Sequence, residues 1–489
     1  MFDRIRDFFS PSPSQAKAGR TPHRRGYAAA NLTRTLDFMT MLEVAHKERQ
    51  RDLPRLRAHS RDLKNNNVYA ARYINLCSTN IVGPNGIGFE SGITGAKGQP
   101  KTAWNANIEA EFAAFSESCT VDGLMSRAEM EQLTVETCAQ DGEAILRHVR
   151  GFGNRWGYAV EVIDPDRLDH THNGITREGN RIIMGVEVDS WGAPLAYWLW
   201  TEHPSDYGTP KPRERVRVPA AEIMHIYRKD RARATRGVPW MTCAMVQINM
   251  LGKLWTAELA AATWESNRLG VIKGDLDAPG GGDPHAAAEE MTSDMATFMG
   301  LEPGLDVVFP QIQHPNGVLP QFSTALLQGA SAGLGVAHHS LTGNVSDANY
   351  SSSRVALLSE RDQWRKLQPW FIRSVCKPIF RAWLEMAVTK GAVQVPGVDI
   401  ERLSAPTWWP RTWEWVDPQK DEAASWNAIC HGLSTPQREC GRNGLDWRDN
   451  IDKLAEVVDY AKTKGLVLPL FQPVKAIPDP KEAPDAAAA

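Results

Sequence analysis

Gly335-Val-Ala-His-His-Ser-Leu-Thr-Gly-Asn-Val-Ser-Asp-Ala-Asn-Tyr-Ser-Ser-Ser-Arg-Val-Ala-Leu-Leu358 is the stretch on which the reading of this chain turns. From Thr342 to Ser353 it is polar and rich in Gly, Asn, Asp and Ser, the residues that turns favour. An Ala/Gly-rich helical pattern precedes it and a long amphipathic one follows. It holds no catalytic set. The spacing predicts an exposed loop held between two helices and built for contact.

Working outward, the helical pattern before the loop covers Thr324 to His339, and the one after it runs from Ser352 to Thr389, with a break or kink expected at Pro369 and Pro378. Further upstream, Gly237-Val238-Pro239 opens a long helical pattern reaching about Asn267, with Pro239 in the first turn, where its missing N–H is harmless. Its apolar residues Met241, Met245, Ile248, Leu251, Trp255 and Leu259 cover more than one side, so this helix needs several neighbours. Between the two patterns, residues 268–320 read as a small knob on a stalk. The knob has a strand at Leu269 to Lys273, the flexible Gly280-Gly281-Gly282, a helix near His285 to Phe298 and a strand at Leu305 to Phe309.

Closer to the N-terminus, residues 10–26 read as disordered or ordered by a partner. Helical periodicity covers Tyr27 to Arg51, Ser60 to Cys77 and Trp104 to Glu117, and Ser126 with Glu129 forms a capping box before a fourth helix. From Gly142 to Tyr227 the period changes to short apolar or alternating runs: Ala144 to Val149, Tyr158 to Ile163, Ile182 to Val188, Leu195 to Trp200, Val216 to Val218 and Ile223 to Tyr227. Asn173-Gly174 and Trp191-Gly192 separate several of them, as in an antiparallel sheet. Near the C-terminus, Trp408, Trp409, Trp413 and Trp415 could stack bases, but beside Pro406 and Pro410 they read as packing of an extended segment. Asp417-Pro418, Thr435-Pro436 and Asp446 start three helices, Gly432 ends the first, and the Pro/Ala-rich tail from Pro469 is expected to be mobile.

At 489 residues the chain is too long for one compact core. Its apolar fraction of 42% and charged fraction of 23% are those of a soluble globular protein, and no apolar run is long enough to cross a bilayer. Met1 to Phe9 lacks the pattern of a secretory leader. Seven cysteines, none in a CxxC pair, fit a reducing compartment and free thiols. Residues 1–72 hold fifteen Lys/Arg against seven Asp/Glu, leaving forty against fifty-one elsewhere. A basic head on an acidic body fits either contact with nucleic acid or an acidic partner, or a solvated surface helix.

Two catalytic patterns fail on context. Gly329-Ala330-Ser331-Ala332-Gly333 matches the nucleophile elbow G-x-S-x-G, with His338 and His339 nearby, but Ala325-Leu326-Leu327-Gln328 reads as helix where that elbow needs a strand. Asp164, Asp166, Asp169, His170 and His172 offer metal donors, yet they follow a strand where Asp and Pro make a turn. No phosphate-binding G-x-x-x-x-G-K-[ST] and no zinc helix is present. No cofactor and no enzymatic activity are expected.

Several fragments nevertheless fall in a telling order: Asn65-Asn66 with Ala70-Ala71-Arg72, Asn80-Ile81-Val82-Gly83 with Gly86-Ile87, Asp141-Gly142-Glu143, and Ile163-Asp164-Pro165-Asp166-Arg167-Leu168. They continue with Ala196-Tyr197-Trp198, the His225 region, Arg236-Gly237-Val238-Pro239-Trp240, Leu341-Thr342-Gly343 and Asn349-Tyr350-Ser351-Ser352. Over residues 27–465 the chain resembles the lambda-type portal proteins of tailed bacteriophages.

The resemblance implies an α+β, mainly helical portal fold that assembles as a ring, usually of twelve, at one vertex of the capsid, with double-stranded DNA passing through it. It divides the chain into a flexible basic arm (1–26), wing (27–236 and 353–416), stem helices (237–267 and 321–341), clip (268–320), tunnel loop (342–352), crown (417–468) and tail (469–489). Thr342, Gly343, Asn344, Ser346, Asp347, Asn349, Tyr350, Ser351 and Ser352 would line the DNA channel. Lys273, Asp275, Asp277, His285, Gln311 and Gln313 would meet partners at the clip. The implied partners are a terminase large subunit carrying the ATPase, a head-tail connector, and major capsid and scaffold proteins. The implied location is the virion, with host cytoplasm during assembly and no membrane. Two other readings stand beside this one: a serine hydrolase using Ser331, and a DNA-binding protein outside capsids.

Overall fold

The computed structural model describes residues 44–93, 102–206, 208, 213–266, 271–274, 305–308, 317–345, 350–394, 406–413, 418–442 and 447–465. The expected N-terminal arm, the middle of the 268–320 segment, Trp415 and the tail lie outside them. The fold is α+β and mainly helical, as expected.

The first helices are divided differently from the periodicity. Helix α1 is Ala45–Asn66, with Pro54 on its exposed side, and α2 is Val68–Ile81. The break falls in the Asn run because Asn67 leaves the helical conformation and caps α2, its Oδ1 accepting from the amides of Tyr69 (3.0 Å) and Ala70 (3.3 Å). Helix α3 is Thr102–Ser116. Helix α4, Arg127–Asp141, starts at the expected capping box: Glu129 N donates to Ser126 Oγ and Ser126 N to Glu129 Oε2.

The β region forms two antiparallel sheets. Strands β2 (Glu143–Arg150), β3 (Tyr158–Ile163) and β9 (Ile223–Tyr227) pair in the order β3-β2-β9. Strands β4 (Gly174–Ile175), β5 (Arg181–Ile183), β6 (Val186–Val188), β7 (Pro194–Trp200) and β8 (Arg215–Pro219) follow one another across the second sheet. The expected run from Ile182 to Val188 is split because Met184 and Gly185 both take positive φ, making a tight turn. Ile145, Ile163, Leu168, Val186, Tyr197 and Leu199 belong to one buried cluster drawn from both sheets.

The main core is helical and aromatic. Strand β1 (Gly88–Glu90) pairs with β12 (Thr407–Trp409), setting Phe89 opposite Trp408. Around that pair Phe89, Phe112, Phe380, Trp383 and Trp408 meet at centroid distances of 4.7 to 6.4 Å. Trp413 Nε1 donates to Asn80 Oδ1 at 2.8 Å and Trp409 Nε1 to Glu90 Oε2 at 3.1 Å. The described members of the Trp cluster are therefore packing residues, as their proline neighbours suggested.

Helix α8 (Tyr350–Phe371) and helix α9 (Lys377–Lys390) are joined by a single π turn, Ile372–Cys376. Pro369 is accommodated inside α8 and does not break it. Pro378 has no N–H to give, and the amide of Lys377 reaches back five residues to the carbonyl of Ile372. Helices α10 (Pro418–Cys430), α11 (Pro436–Arg442) and α12 (Trp447–Thr463) begin where their start signals placed them, and Gly432 follows α10 with φ +69°.

One buried histidine gives a pH dependence. His148 on β2 lies 2.7 Å from the hydroxyl of Tyr158, and burial, then Arg150, pushes its pKa down to about 4 from 6.5. Between those values the unfolded chain holds a proton that the folded chain refuses. This contribution is therefore full above pH 6.5 and is lost as pH falls towards 4, by up to about 3 kcal/mol. Urea midpoints measured across that range should slope less for His148→Gln than for the unaltered chain.

Candidate functional site: the stem, its loop and the junction behind them

Helix α5 is Met245–Ser266 and α6 is Leu319–Leu334. The first therefore starts later than Pro239. On α5, Met245, Ile248 and Leu251 are buried, and no residue from Gly252 to Thr263 is. Val246, Met250 and Leu259 are 63, 62 and 70% exposed, and Trp255 is half exposed. On α6 the buried stripe is Ser323, Leu327, Ala330, Ser331 and Leu334.

The two helices run in opposite directions and approach closely through glycine. A Cβ at Gly333 would lie 3.3 Å from Cys243 Sγ, and one at Gly329 would lie 3.5 Å from Gln247 Oε1. The G-x-S-x-G pattern is thus a packing face. Ser331 is buried inside α6 and its Oγ donates to the Leu327 carbonyl at 2.7 Å. That bond occupies the hydroxyl, and the hydrolase reading is set aside.

Gly335, with φ +71°, ends α6, and α7 (His338–Thr342) follows. The helical pattern expected to run unbroken from Thr324 to His339 is therefore interrupted at Gly335. Leu341 is buried, Arg72 Nε donates to the Ser340 carbonyl at 3.2 Å, and the Ala337 amide donates to Glu360 Oε2 at 3.0 Å. Those bonds root the loop that begins at Gly343. Thr342 closes α7, and Gly343, Asn344 and Val345 are exposed. Ser346, Asp347 and Asn349 lie outside the described residues. Tyr350, Ser351 and Ser352 form the first turn of α8, so the helix starts earlier than expected. Serine suits a first helical turn as well as a loop, so composition left the boundary open. From Ser352 to Ser359 no α8 residue is buried.

Of the proposed clip residues, Lys273 lies on β10 (Val271–Gly274), opposite Asp306 on β11 (Leu305–Val308). The two strands expected there are present and antiparallel. Asp275, Asp277, His285, Gln311 and Gln313 lie outside the described residues, as does the helix expected near His285.

Just before the start of α5, the quoted sequence fragments meet. Glu143 is fully buried at the start of β2. Arg236 Nε donates to its two oxygens at 2.7 and 3.0 Å, the Gly237 amide donates at 3.0 Å, His225 Nε2 lies 3.0 Å away, and Arg57 completes the ring of donors. Burial alone would raise the Glu143 carboxyl, but Arg236 and Arg57 outweigh it and hold it well below the ordinary value. Arg61 donates to both oxygens of Asp141 at 2.8 Å and to Asp166 at 2.6 Å. Asp164 caps the short turn Pro165–Arg167. Asp164, Asp166 and His203 lie close enough together to suggest a cation site, but guanidinium groups already supply the positive charge there.

The backbones also touch. A Cβ on Gly142 would lie 2.6 Å from Val238 N and Cα, and one on Gly237 would lie 2.7 Å from Gly142 C. Trp240 N donates to the Ala139 carbonyl at 3.0 Å. This crossing occupies residues 237–240 and delays the start of α5. Sequence reasoning took Asp141-Gly142-Glu143 and Arg236-Gly237 only as parts of a family pattern and did not foresee that Arg57 joins them.

A family profile described as phage portal protein, lambda family, matches residues 32–368. That is more than half of the sequence, and this chain belongs to the lambda family of phage portal proteins. It is 30% identical to the probable portal protein of Halomonas phage phiHAP-1 over 437 residues, covering 87% of this chain and 84% of that one. It is also 23% identical to portal protein B of Escherichia phage lambda over 470 residues, covering 85% of each. Among solved structures it aligns with the neck of a native gene transfer agent particle at a TM-score of 0.45 and 15% identity, covering 81% of this chain and 94% of that chain. As a member of that family, the chain is a portal protein of a tailed phage.

Proposed function

We propose that copies of this chain close into a ring, of twelve subunits, at the capsid vertex, and that double-stranded DNA passes through it in packaging and ejection. The ring is a portal assembled in the host cytoplasm and carried in the virion. A separate terminase, which supplies the ATPase activity, docks at the clip, the paired strands β10 and β11 and the residues between them. A head-tail connector follows it there, while capsid and scaffold proteins meet the outer parts. The observation that carries the ring is the stem: Val246, Met250, Trp255, Leu259 and Phe322 stand exposed on α5 and α6, and a neighbouring copy is the natural cover. The fixed root at Leu341, Ser340 and Ala337 supports a tunnel segment, residues 342–352, that is anchored at its N-terminal end.

A channel that moves DNA must not hold it. Each phosphate neutralised by a fixed cation adds salt-dependent affinity, and the loop carries no Lys or Arg before Arg354, while Asp347 adds negative charge. Asn344→Lys, which places one cation per subunit in the channel, should slow packaging at least tenfold and leave the ring's mass unchanged. Packaging at the unaltered rate would remove the loop assignment. The ring itself is tested by light scattering and negative-stain projection. A particle of about 0.65 MDa with an axial hole supports it, and a monomer under all conditions, including with scaffold present, overturns it.

A further inference from the structure

Between β9 and the Gly142–Gly237 crossing, Arg228-Lys229-Asp230-Arg231-Ala232-Arg233 are six exposed residues in succession. The loop is built rather than slack. Its base is closed by Tyr227 Oη donating to the Ala234 carbonyl at 3.0 Å, and the buried Arg49 holds Asp230. Arg231 is engaged by Glu48 at 2.7 Å, and the Arg228 guanidinium lies 5.2 Å from the Trp240 ring centroid. Asp230 is thus neutralised by a cation from beneath, and the surface is left with the charges of Arg228, Lys229 and Arg233. Arg233 also sits at φ +58°, a conformation that a non-glycine residue holds at a cost of about 1 kcal/mol and that clusters at working sites.

Two further observations define what such a loop would bind. The pKa of His46, one turn before Arg49, is lowered first by burial and then by Arg181 and Lys47, which are two further cations near that end of α1. The loop offers no large apolar side chain, whereas protein interfaces are organised around an apolar or aromatic core. Fixed cations without an apolar centre match a phosphate backbone read without regard to sequence.

We infer that the Arg228–Arg233 loop is a phosphate-contact site for double-stranded DNA, with Lys229 and Arg233 as its contacting side chains. The site rests on the portal reading for its biological setting and adds a second DNA contact outside residues 342–352. It stands immediately before the stem, where DNA affinity placed away from the tunnel loop can retain a duplex without a cation in that loop.

The test uses the assembled full-length protein and a random-sequence duplex labelled for anisotropy, titrated from about 50 to 200 mM salt. Lys229→Gln/Arg233→Gln should weaken binding at least tenfold at the low-salt end. It should also flatten the slope of log affinity against log salt by about two for each subunit that engages the duplex. Lys462→Gln, an exposed cation on α12 that pairs with Asp459, should change neither. Equal affinity and slope for the loop variant and the unaltered protein overturn the inference. So does a variant that keeps duplex binding but loses binding to polyglutamate, which would assign the loop to an acidic protein. Particle mass measured on the same samples separates these results from failure of the ring.

Discussion

Glu143→Gln is expected to destabilise the folded chain by about 3–5 kcal/mol, the range for removing one partner of a buried ion pair. The carboxylate accepts from Arg236, the Gly237 amide and Arg57 in a site without water access to either charge, since Arg236 and Glu143 are both fully buried. Glutamine keeps the shape but leaves two guanidinium groups facing a neutral amide. Arg57 keeps Asp166 as a partner at 3.0 Å, whereas Arg236 is left with the neutral carbonyls of Leu168 and Met184, and Asp141 is held by Arg61. Glu143→Gln combined with Arg236→Met should recover part of the loss, because deleting both charges leaves fewer of them unpaired. Urea denaturation of the four proteins gives the coupling directly. A single-variant loss below about 1 kcal/mol would mean that the cluster is far wetter than its burial indicates.

Gly237→Ala should be still more damaging and leave little soluble protein. The added methyl would sit 2.7 Å from the Gly142 carbonyl carbon and 2.9 Å from Tyr227 Cβ. Backbone cannot rotate away as a side chain can, and the same residue supplies an amide to Glu143. Gly151→Ala is the control: Gly151 has a positive φ, +79°, which Gly237 does not, but nothing lies within 4 Å of the new atom. Its cost should stay near the conformational penalty of about 1 kcal/mol. Comparable soluble yield and melting temperature for the two variants would refute the close crossing of residues 142 and 237.

Local signals in the sequence were the most readable. The capping box at Ser126, the start of α10 at Pro418 and the β-strands from Glu143 to Tyr227 depend on neighbours within a few residues. The apolar residues of α5 were also read correctly as needing more than one partner, and among the described residues Leu259 is one that finds no cover. The chain break at Asn67 was missed because three consecutive Asn residues permit a cap at any of them, and packing selects one. The delayed start of α5 was missed for a different reason: Pro239 is a valid first-turn residue, and only contact with Gly142 excludes it from the helix. The Glu143 cluster joins residues from Arg57 to Arg236, and no periodicity relates positions so far apart. Its members were visible as fragments, but their meeting was not.

The π turn at Ile372–Cys376 has a consequence for how the long C-terminal rod works. A five-residue reach inserts one residue without inserting a turn, which rotates everything downstream by about 100° about the axis. Before it, Glu360, Trp364, Leu367 and Phe371 form the inward side of a helix that packs on α2. After it, Ile379, Phe380, Trp383 and Ala387 form the inward side of one that packs on β2 and β3. One rod thereby addresses two walls at different azimuths, and the ring lacking an amide hydrogen at Pro378 sets the phase between them. Deleting one residue from that turn would keep every side chain before and after it, yet it would point Trp383 at the wrong wall.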